Sequence, residues 1–215
     1  PQHSSAASDV YKRQVHFCAP SNEARAAALE QLVQGGMIPV HPYDHADIIA
    51  GQGTAALELE QVIPSLEQII TPVGGGGLIS GTAIAAQPWG VSVYGVEPAG
   101  AADTVESLQR GKIVSSFHPD TIADGLRAIV GQRNFRLIRE HVSQVVTVSD
   151  DEIRAAMTLT WQTLKLLIEP SSATVIAGIL KHPELFKGHK VGAILSGGNI
   201  HPQDWVSLTG ESTDA

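Results

Sequence analysis

Residues 69–86 read Ile-Ile-Thr-Pro-Val-Gly-Gly-Gly-Gly-Leu-Ile-Ser-Gly-Thr-Ala-Ile-Ala-Ala, so four consecutive glycines separate two apolar segments. The apolar start, Ile69–Val73, is typical of a buried strand, and Leu78–Ala86 is typical of a helix. Between them, Gly74 to Gly77 lack Cβ atoms, so several backbone N–H groups can approach an anion at the favourable end of the helix dipole. The stretch therefore predicts a strand, a phosphate-binding loop and a helix.

A dinucleotide-binding loop is a second reading of the glycine run. Gly75-x-Gly77-x-x-Ser80 approximates the dinucleotide pattern, and Glu97 lies twenty residues further on, where such folds carry an acidic ribose ligand. A nucleoside triphosphate loop is poorly supported, because no Lys-Ser or Lys-Thr pair follows the glycines. A tight turn without a ligand is a third reading, but four successive glycines favour a phosphate.

Short β-branched runs alternate with helical runs along the chain, and this pattern predicts an α/β fold with a mostly parallel sheet flanked by helices. A capping box, Ser149-Asp-Asp-Glu152, marks the best-signalled helix start. Strands are predicted at Val15–Cys18, Met37–Val40, Ile69–Val73, Val91–Val96, Val145–Val148 and Val191–Leu195. Helices are predicted at Asn22–Gln34, Thr54–Ile63, Leu78–Ala86, Asn134–His141, Asp150–Leu167 and Ser171–Leu180, with a short one near Thr104–Gln109 in a surface crossing.

Composition excludes several classes of partner. The 215 residues suffice for one large α/β domain, and 14 basic against 22 acidic side chains leave a formal charge of −8. This balance argues against binding to nucleic acid or to an anionic membrane face, and no apolar run approaches the roughly 18 residues of a membrane span. Because a single cysteine, Cys18, forms no internal disulfide, we expect a reducing, cytoplasmic compartment. The Cys18 side chain itself is expected in the core.

The first fourteen residues, PQHSSAASDVYKRQ, are polar and patternless and lack an initiator Met. A possible codon string for residues 9–14, GAT GTG TAT AAG AGA CAG, resembles a transposon-end adapter used in sequencing libraries. We therefore expect residues 1–14 to be non-native, or else a disordered tail, with the native frame entering near Val15. Genomic DNA upstream of Val15 tests this hypothesis, since a natural frame encoding the same residues would contradict it.

Two further segments place polar groups where ligands bind. Ser196-Gly-Gly-Asn199 follows a predicted strand, and ligands of open α/β sheets collect at such carboxyl ends. Glu97 and Asp103 flank a loop of small residues in which two carboxylates and a backbone carbonyl suit Mg²⁺ or Ca²⁺. Spacing alone favours another reading, in which Asp103 caps the following helix and Glu97 is solvated.

Seven motifs, taken in order, resemble those of the serine racemase and threonine/serine dehydratase family. They are His41-Pro-Tyr43, Ile48-Ile-Ala-Gly-Gln-Gly-Thr54, Val73-Gly-Gly-Gly-Gly-Leu78, Gly95-Val-Glu-Pro98, Thr121-Ile-Ala-Asp-Gly125, Leu166-Leu-Ile-Glu-Pro170 and Leu195-Ser-Gly-Gly-Asn199. The combination is far more specific than any single motif. The resemblance implies a pyridoxal 5′-phosphate enzyme of the tryptophan-synthase-β type, fold type II, which takes small amino-acid substrates and forms a homodimer when full length.

The resemblance also implies site residues. Those implied for the cofactor are Gly74, Gly75, Gly76 and Gly77 at its phosphate, Gly125 and Glu169 near its ring, and Ser196 at its pyridine nitrogen. A neutral hydroxyl at Ser196 leaves the ring nitrogen largely unprotonated and moderates its electron withdrawal. Those implied for a divalent cation are Glu97, the Ala101 carbonyl and Asp103.

The resemblance has one severe gap. The family's Ser-x-Lys-x-Arg-Gly-Ala segment, which carries the Schiff-base lysine, and its Ser-x-Gly-Asn-His loop do not occur, so no catalytic residue is assigned. Residues 15–42 match a remnant of the small domain and 43–205 the large cofactor domain, with a tail at 206–215. We expect a truncated dehydratase (ammonia-lyase) or racemase that is inactive alone. A dinucleotide-binding oxidoreductase fragment and a natural, catalytically dead binding module are the alternatives.

Overall fold

A computed structural model describes residues 14–19, 22–114 and 116–210, and their contacts divide the chain into two units between Val40 and His41. The predicted N-terminal tail lies outside the described residues except for Gln14. The first unit contains helix α1 (Asn22–Gln34), as predicted. The strands predicted at Val15–Cys18 and Met37–Val40 are wrong, because both segments are irregular and exposed. Cys18 is likewise exposed and not a core residue.

The second unit is built on a parallel sheet whose described strands have the order β3-β2-β1-β4. Their bounds are β1 (Gln68–Pro72), β2 (Ser92–Pro98), β3 (Gln144–Val148) and β4 (Val191–Ala193). The register places Ile70 of β1 between Tyr94 of β2 and Ala193 of β4. Both neighbours run parallel to β1, which confirms the predicted α/β fold with a mostly parallel sheet.

Helices cover both faces of this sheet. They are α2 (Ala46–Val62), α3 (Gly77–Ala86), α4 (Asp103–Arg110), α5 (Gln132–His141), α6 (Asp150–Leu164), α7 (Pro170–Lys181), α8 (Pro183–Phe186) and α9 (Pro202–Thr209). Helix α2 begins eight residues before the predicted start at Thr54, since the His45 side chain caps it by accepting a hydrogen bond from the Asp47 amide. Helix α9 extends into the segment predicted as a tail. No helix among the described residues is both long and apolar enough to cross a membrane.

The core lies on the two faces of β1, which is buried along its whole length. Because successive side chains of a strand point to opposite faces, Ile69 packs with Ala56 of α2 and Ile79 of α3, while Ile70 packs in the cluster of α6 and α7. The capping box of α6 is present as predicted: Ser149 Oγ accepts from the Glu152 amide, and Glu152 Oε2 accepts from the Ser149 amide.

Helices α2 and α3 touch through their backbones. A Cβ atom built on Gly81 of α3 would lie 2.2 Å from the Ile49 carbonyl oxygen, and one built on Gly53 of α2 would lie 2.8 Å from the Gly81 carbonyl oxygen. Only glycine permits this separation. The crossing holds the start of α2 beside the glycine run that precedes α3.

Candidate functional site

The glycine run and Ser196 lie at the same edge of the sheet. The glycines follow β1, Ser196 follows β4, and these two strands are parallel neighbours. Carboxyl ends of parallel strands meet at one edge, which is where open α/β sheets bind ligands. The structure thus brings together Gly76 and Ser196, which lie far apart in the chain.

Two positions of the glycine run cannot carry a side chain. Gly76 has φ of +90°, a left-handed conformation that L side chains rarely adopt. A Cβ atom on Gly75 would lie 2.4 Å from the ring of Tyr43. The Gly75 carbonyl oxygen accepts from Asn134 Nδ2 at 2.7 Å and from the Gly131 amide at 3.1 Å, so the start of α5 fixes the run from the other side.

A cleft of about 380 Å³ opens above this edge. It is lined by Gly74, Gly75, Gly76, Gly77, Leu78, Gly125, Leu126, Ala128, Ser196, Pro42, Tyr43, Gln52 and Pro72. The amides of the first turn of α3 have no acceptor within the helix, and the helix dipole adds positive potential there. The cleft is therefore suited to a small ligand with an anionic group at the glycine end and a hydrogen-bonding atom near Ser196.

Tyr43 and Gln52 line the cleft, although neither is among the predicted site residues. Both belong to motifs quoted for the family resemblance, His41-Pro-Tyr43 and residues 48–54, so the signal was present. The structure places the two side chains at the cleft because α2 packs directly on α3.

Glu169 does not line the cleft but lies behind two of its loops. Its Oε2 accepts from the Asn199 amide at 2.8 Å. A Cβ on Gly197 would lie 2.6 Å from its carboxylate, and a Cβ on Gly125 would lie 3.7 Å from Oε1. Glu169 thus ties the loop that carries Ser196 to the start of α7.

Glu97 and Asp103 form a buried carboxylate pair away from the cleft lining, 0% and 1% exposed. Glu97 accepts from the amides of Thr104 (3.0 Å) and Val105 (2.9 Å), while Asp103 Oδ2 accepts from the Val130 amide (2.8 Å). The expectation that Asp103 caps the helix and Glu97 is solvated is wrong, because Glu97 caps α4. Glu97 is fully buried and is not among the residues that line the cleft, so it does not face a ligand there as the ribose contact of the dinucleotide reading requires.

Burial changes the ionisation of this pair. Burial, followed by the charge of Asp103, raises the pKa of Glu97 to about 8, and burial raises the pKa of Asp103 to about 6. The second carboxylate oxygen of Asp103 is buried without a hydrogen-bond partner among the described residues. Within the same residues no three His, Cys, Asp or Glu side chains gather as a metal site. The predicted set contains two carboxylates and the carbonyl of buried Ala101, so it remains a prediction.

Known proteins match this chain over most of its length. A serine racemase of Dictyostelium discoideum is 46% identical over 199 residues, which are 88% of this chain and 61% of that protein. An L-threo-3-hydroxyaspartate ammonia-lyase of Saccharomyces cerevisiae is 41% identical over 83% of this chain and 56% of its own length. The chain thus spans about six-tenths of the curated relatives that it matches.

Solved structures agree with the fold. The Dictyostelium discoideum serine racemase structure superposes with a TM-score of 0.82 at 45% identity, covering 90% of this chain and 64% of that one. A maize serine racemase structure gives 0.87 at 34% identity, with 94% and 64% covered. These neighbours confirm the predicted fold type II. The family model described as pyridoxal-phosphate dependent enzyme matches residues 4–197, and the chain belongs to that family.

Proposed function

We propose that this chain forms the cofactor-binding part of a pyridoxal 5′-phosphate enzyme that acts on small β-hydroxy amino acids, as an ammonia-lyase or a racemase. One observation carries the proposal: a single cleft is lined by the glycine run, Gly125 and Ser196. The names of the relatives, serine racemase and hydroxyaspartate ammonia-lyase, support the substrate class. They do not separate elimination from racemisation.

The residues present fit the cofactor. The glycine run would hold its phosphate, because Gly75 and Gly76 leave the space that Cβ atoms would fill and the first amides of α3 provide donors. Gly125 would form the wall beside the ring, and the Ser196 hydroxyl would donate to the pyridine nitrogen. When bound, pyridoxal phosphate withdraws electrons from the α-carbon of an amino acid.

Ser196, and not Glu169, would set the protonation of the ring nitrogen. The Ser196 hydroxyl is neutral, so it bonds the ring nitrogen without the negative charge that would keep a proton there. Glu169 carries a carboxylate, but its Oε2 accepts from the Asn199 amide and its group packs against Gly197. Glu169 therefore holds the loop and leaves Ser196 as the partner of the nitrogen.

No lysine of the described residues lines the cleft. The part of the cleft formed by described residues thus offers no amine that could carry the cofactor covalently and move the α-proton. We propose that residues 1–215 bind the cofactor without catalysing the reaction. Borohydride reduction of the chain with pyridoxal phosphate, followed by peptide mass mapping, tests this: stoichiometric labelling of one lysine, with an absorption band of an internal Schiff base, would contradict it.

Binding itself is tested with a matched pair of variants. We expect the wild-type chain to bind pyridoxal phosphate in equilibrium dialysis and not NAD. Gly75→Ala should weaken binding, because its methyl group would meet the Tyr43 ring at 2.4 Å. Gly51→Ala is the control, since a Cβ at Gly51 has no heavy atom within 4 Å. Equal affinities of the two variants would contradict the assignment of the glycine run.

We also propose a divalent cation at Glu97, Asp103 and the Ala101 carbonyl. The two buried carboxylates repel each other, and the unpartnered oxygen of Asp103 offers a ligand position. Mg²⁺ or Ca²⁺ should raise the midpoint of thermal unfolding of the wild type but not of Glu97→Gln. Glu106→Gln is the control, because Glu106 pairs with Arg110 at the surface of the same helix. An equal rise in all three proteins would indicate no specific site.

Two coarser expectations complete the proposal. A reducing, cytoplasmic location follows from the single cysteine, and a homodimer of the full-length enzyme follows from the family resemblance. Sedimentation of the full-length protein at several concentrations tests the second, and a monomer throughout would contradict it.

A further inference from the structure

The loop of residues 121–127, which carries Gly125, is anchored to the first residue of α6. Asp150 Oδ1 accepts from the Thr121 hydroxyl at 2.6 Å, and Asp150 Oδ2 accepts from the Ile122 amide at 2.9 Å. Hydrogen bonds to a carboxylate are shorter and stronger than those between neutral groups. Both oxygens of a partly buried carboxylate are thus committed to the start of this loop.

The loop is also closed on itself. Thr121 Oγ1 accepts from the Ala123 amide at 3.2 Å, and the Thr121 carbonyl oxygen accepts from the guanidinium of Arg127 through Nε, at 3.1 Å, and through Nη2. The two ends of the segment are therefore joined at Thr121. Since Asp150 holds Thr121, its bonds fix the closed segment as a whole.

The anchored loop lies directly against the phosphate end of the cleft. A Cβ atom on Gly74 would lie 3.2 Å from the Gly125 carbonyl oxygen and 3.2 Å from the Leu126 Cα. The loop is also bound to the start of α7, because the Gly125 amide donates to Ser171 Oγ at 3.0 Å. A shift of the loop away from α6 would therefore move the wall that borders the glycine run.

We propose that Asp150 is a positioning residue for the phosphate end of the cofactor cleft, acting through Thr121 and the loop that carries Gly125. The inference rests on the proposed function, because it assumes that this cleft holds a pyridoxal phosphate. Asp150 itself is not among the residues that line the cleft. Its neighbour Asp151 has no such role, since it is 94% exposed and pairs with Arg154 at 2.8 Å.

The test measures binding of pyridoxine 5′-phosphate by equilibrium dialysis. This probe carries the phosphate but lacks the aldehyde, so surface lysines cannot react with it. We expect Asp150→Ala to raise the dissociation constant about tenfold, and Asp151→Ala to leave it unchanged. Thr121→Val should behave like Asp150→Ala, whereas Thr121→Ser, which keeps the hydroxyl, should bind like wild type.

Hydrogen exchange separates positioning from a general loss of stability. In Asp150→Ala the amides of residues 122–126 should exchange faster, while those of β1 and β2 stay protected. If Asp150→Ala does not fold, Asp150→Asn keeps one acceptor oxygen and should give a smaller change in the same direction.

Two outcomes overturn the inference, and they are distinguishable. Wild-type binding that Asp150→Ala and Asp150→Asn leave unchanged refutes the positioning role alone. A wild-type chain that does not bind pyridoxine 5′-phosphate refutes the proposed function, and the positioning role with it.

Discussion

Replacing Gly81 by Ala should destabilise the protein through the crossing of α2 and α3. The new methyl group would lie 2.2 Å from the Ile49 carbonyl oxygen and 2.6 Å from the Gly53 nitrogen, both backbone atoms of a packed helix. To reach an ordinary contact of about 3.4 Å, the two helices must separate by about 1.2 Å. No side-chain rotation relieves the contact.

The size of the effect follows from two opposing contributions. Alanine is preferred over glycine inside a helix by about 1 kcal/mol. Overpacking of a close contact costs about 1–3 kcal/mol, and a clash with backbone lies at the upper end. We therefore expect Gly81→Ala to lower the free energy of unfolding by about 2 kcal/mol. Gly51→Ala in α2 has open space around its Cβ and should raise that free energy by about 0.5–1 kcal/mol.

Urea titrations followed by far-UV circular dichroism measure both variants against wild type. The two substitutions are the same in chemistry and both lie inside helices, so intrinsic propensity cancels between them. The opposite signs are the decisive result. If Gly81→Ala is as stable as wild type, or if both variants shift in the same direction, the helices do not approach at the separation described.

Two further substitutions test the supports of the site and of α6. Asn134→Ala removes the donor to the Gly75 carbonyl oxygen. It should lower the free energy of unfolding, measured by urea titration, by about 1–2 kcal/mol and should weaken cofactor binding. An unchanged affinity for the cofactor would contradict a role of α5 in supporting the glycine run. Glu152→Ala removes one of the two hydrogen bonds of the capping box and should lower the free energy of unfolding by about 0.5–1 kcal/mol at neutral pH. Burial opposes ionisation, but the bonds from the Ser149 amide and Lys181 hold the pKa of Glu152 below its ordinary 4.5. The stabilisation is therefore complete above pH 4.5 and is lost as the pH falls through the lower folded-state value, so a constant difference across this range would refute it.

The elements that were predicted correctly are those that a short local motif defines by itself. The glycine run, the strand Ile69–Val73 and the capping box at Ser149 each carry their own chemistry, and each lies within one or two residues of its prediction. The two wrong strands, at residues 15–18 and 37–40, rest only on short runs that contain apolar and β-branched residues. Such residues favour a strand only where a neighbouring strand is available to pair with. Neither segment pairs with another strand among the described residues, so neither forms one.

The roles of individual carboxylates were harder to predict because tertiary contacts decide them. Glu97 caps a helix that begins six residues later, and the sequence offers no local rule for a cap at that distance. Asp150 lies inside the capping box, where acids are common in the first turn of a helix, but its hydrogen bond to Thr121 joins residues that are 29 positions apart in the chain. Cys18 is predicted to lie in the core because it ends a predicted buried strand, but no strand forms there and the side chain is exposed.

The position of β4 beside β1 has a consequence for the order of folding. The side chain of Glu67, just before β1, accepts from the Lys190 amide across 123 positions of sequence, whereas β1, α3 and β2 follow one another closely. Contacts between distant segments form slowly, because the loop between them must first lose its conformational entropy. During synthesis, the glycine run is therefore expected to fold while Ser196 is still being made, and the nitrogen partner joins the cleft only when β4 docks. Cofactor binding would then be acquired only after β4 has docked.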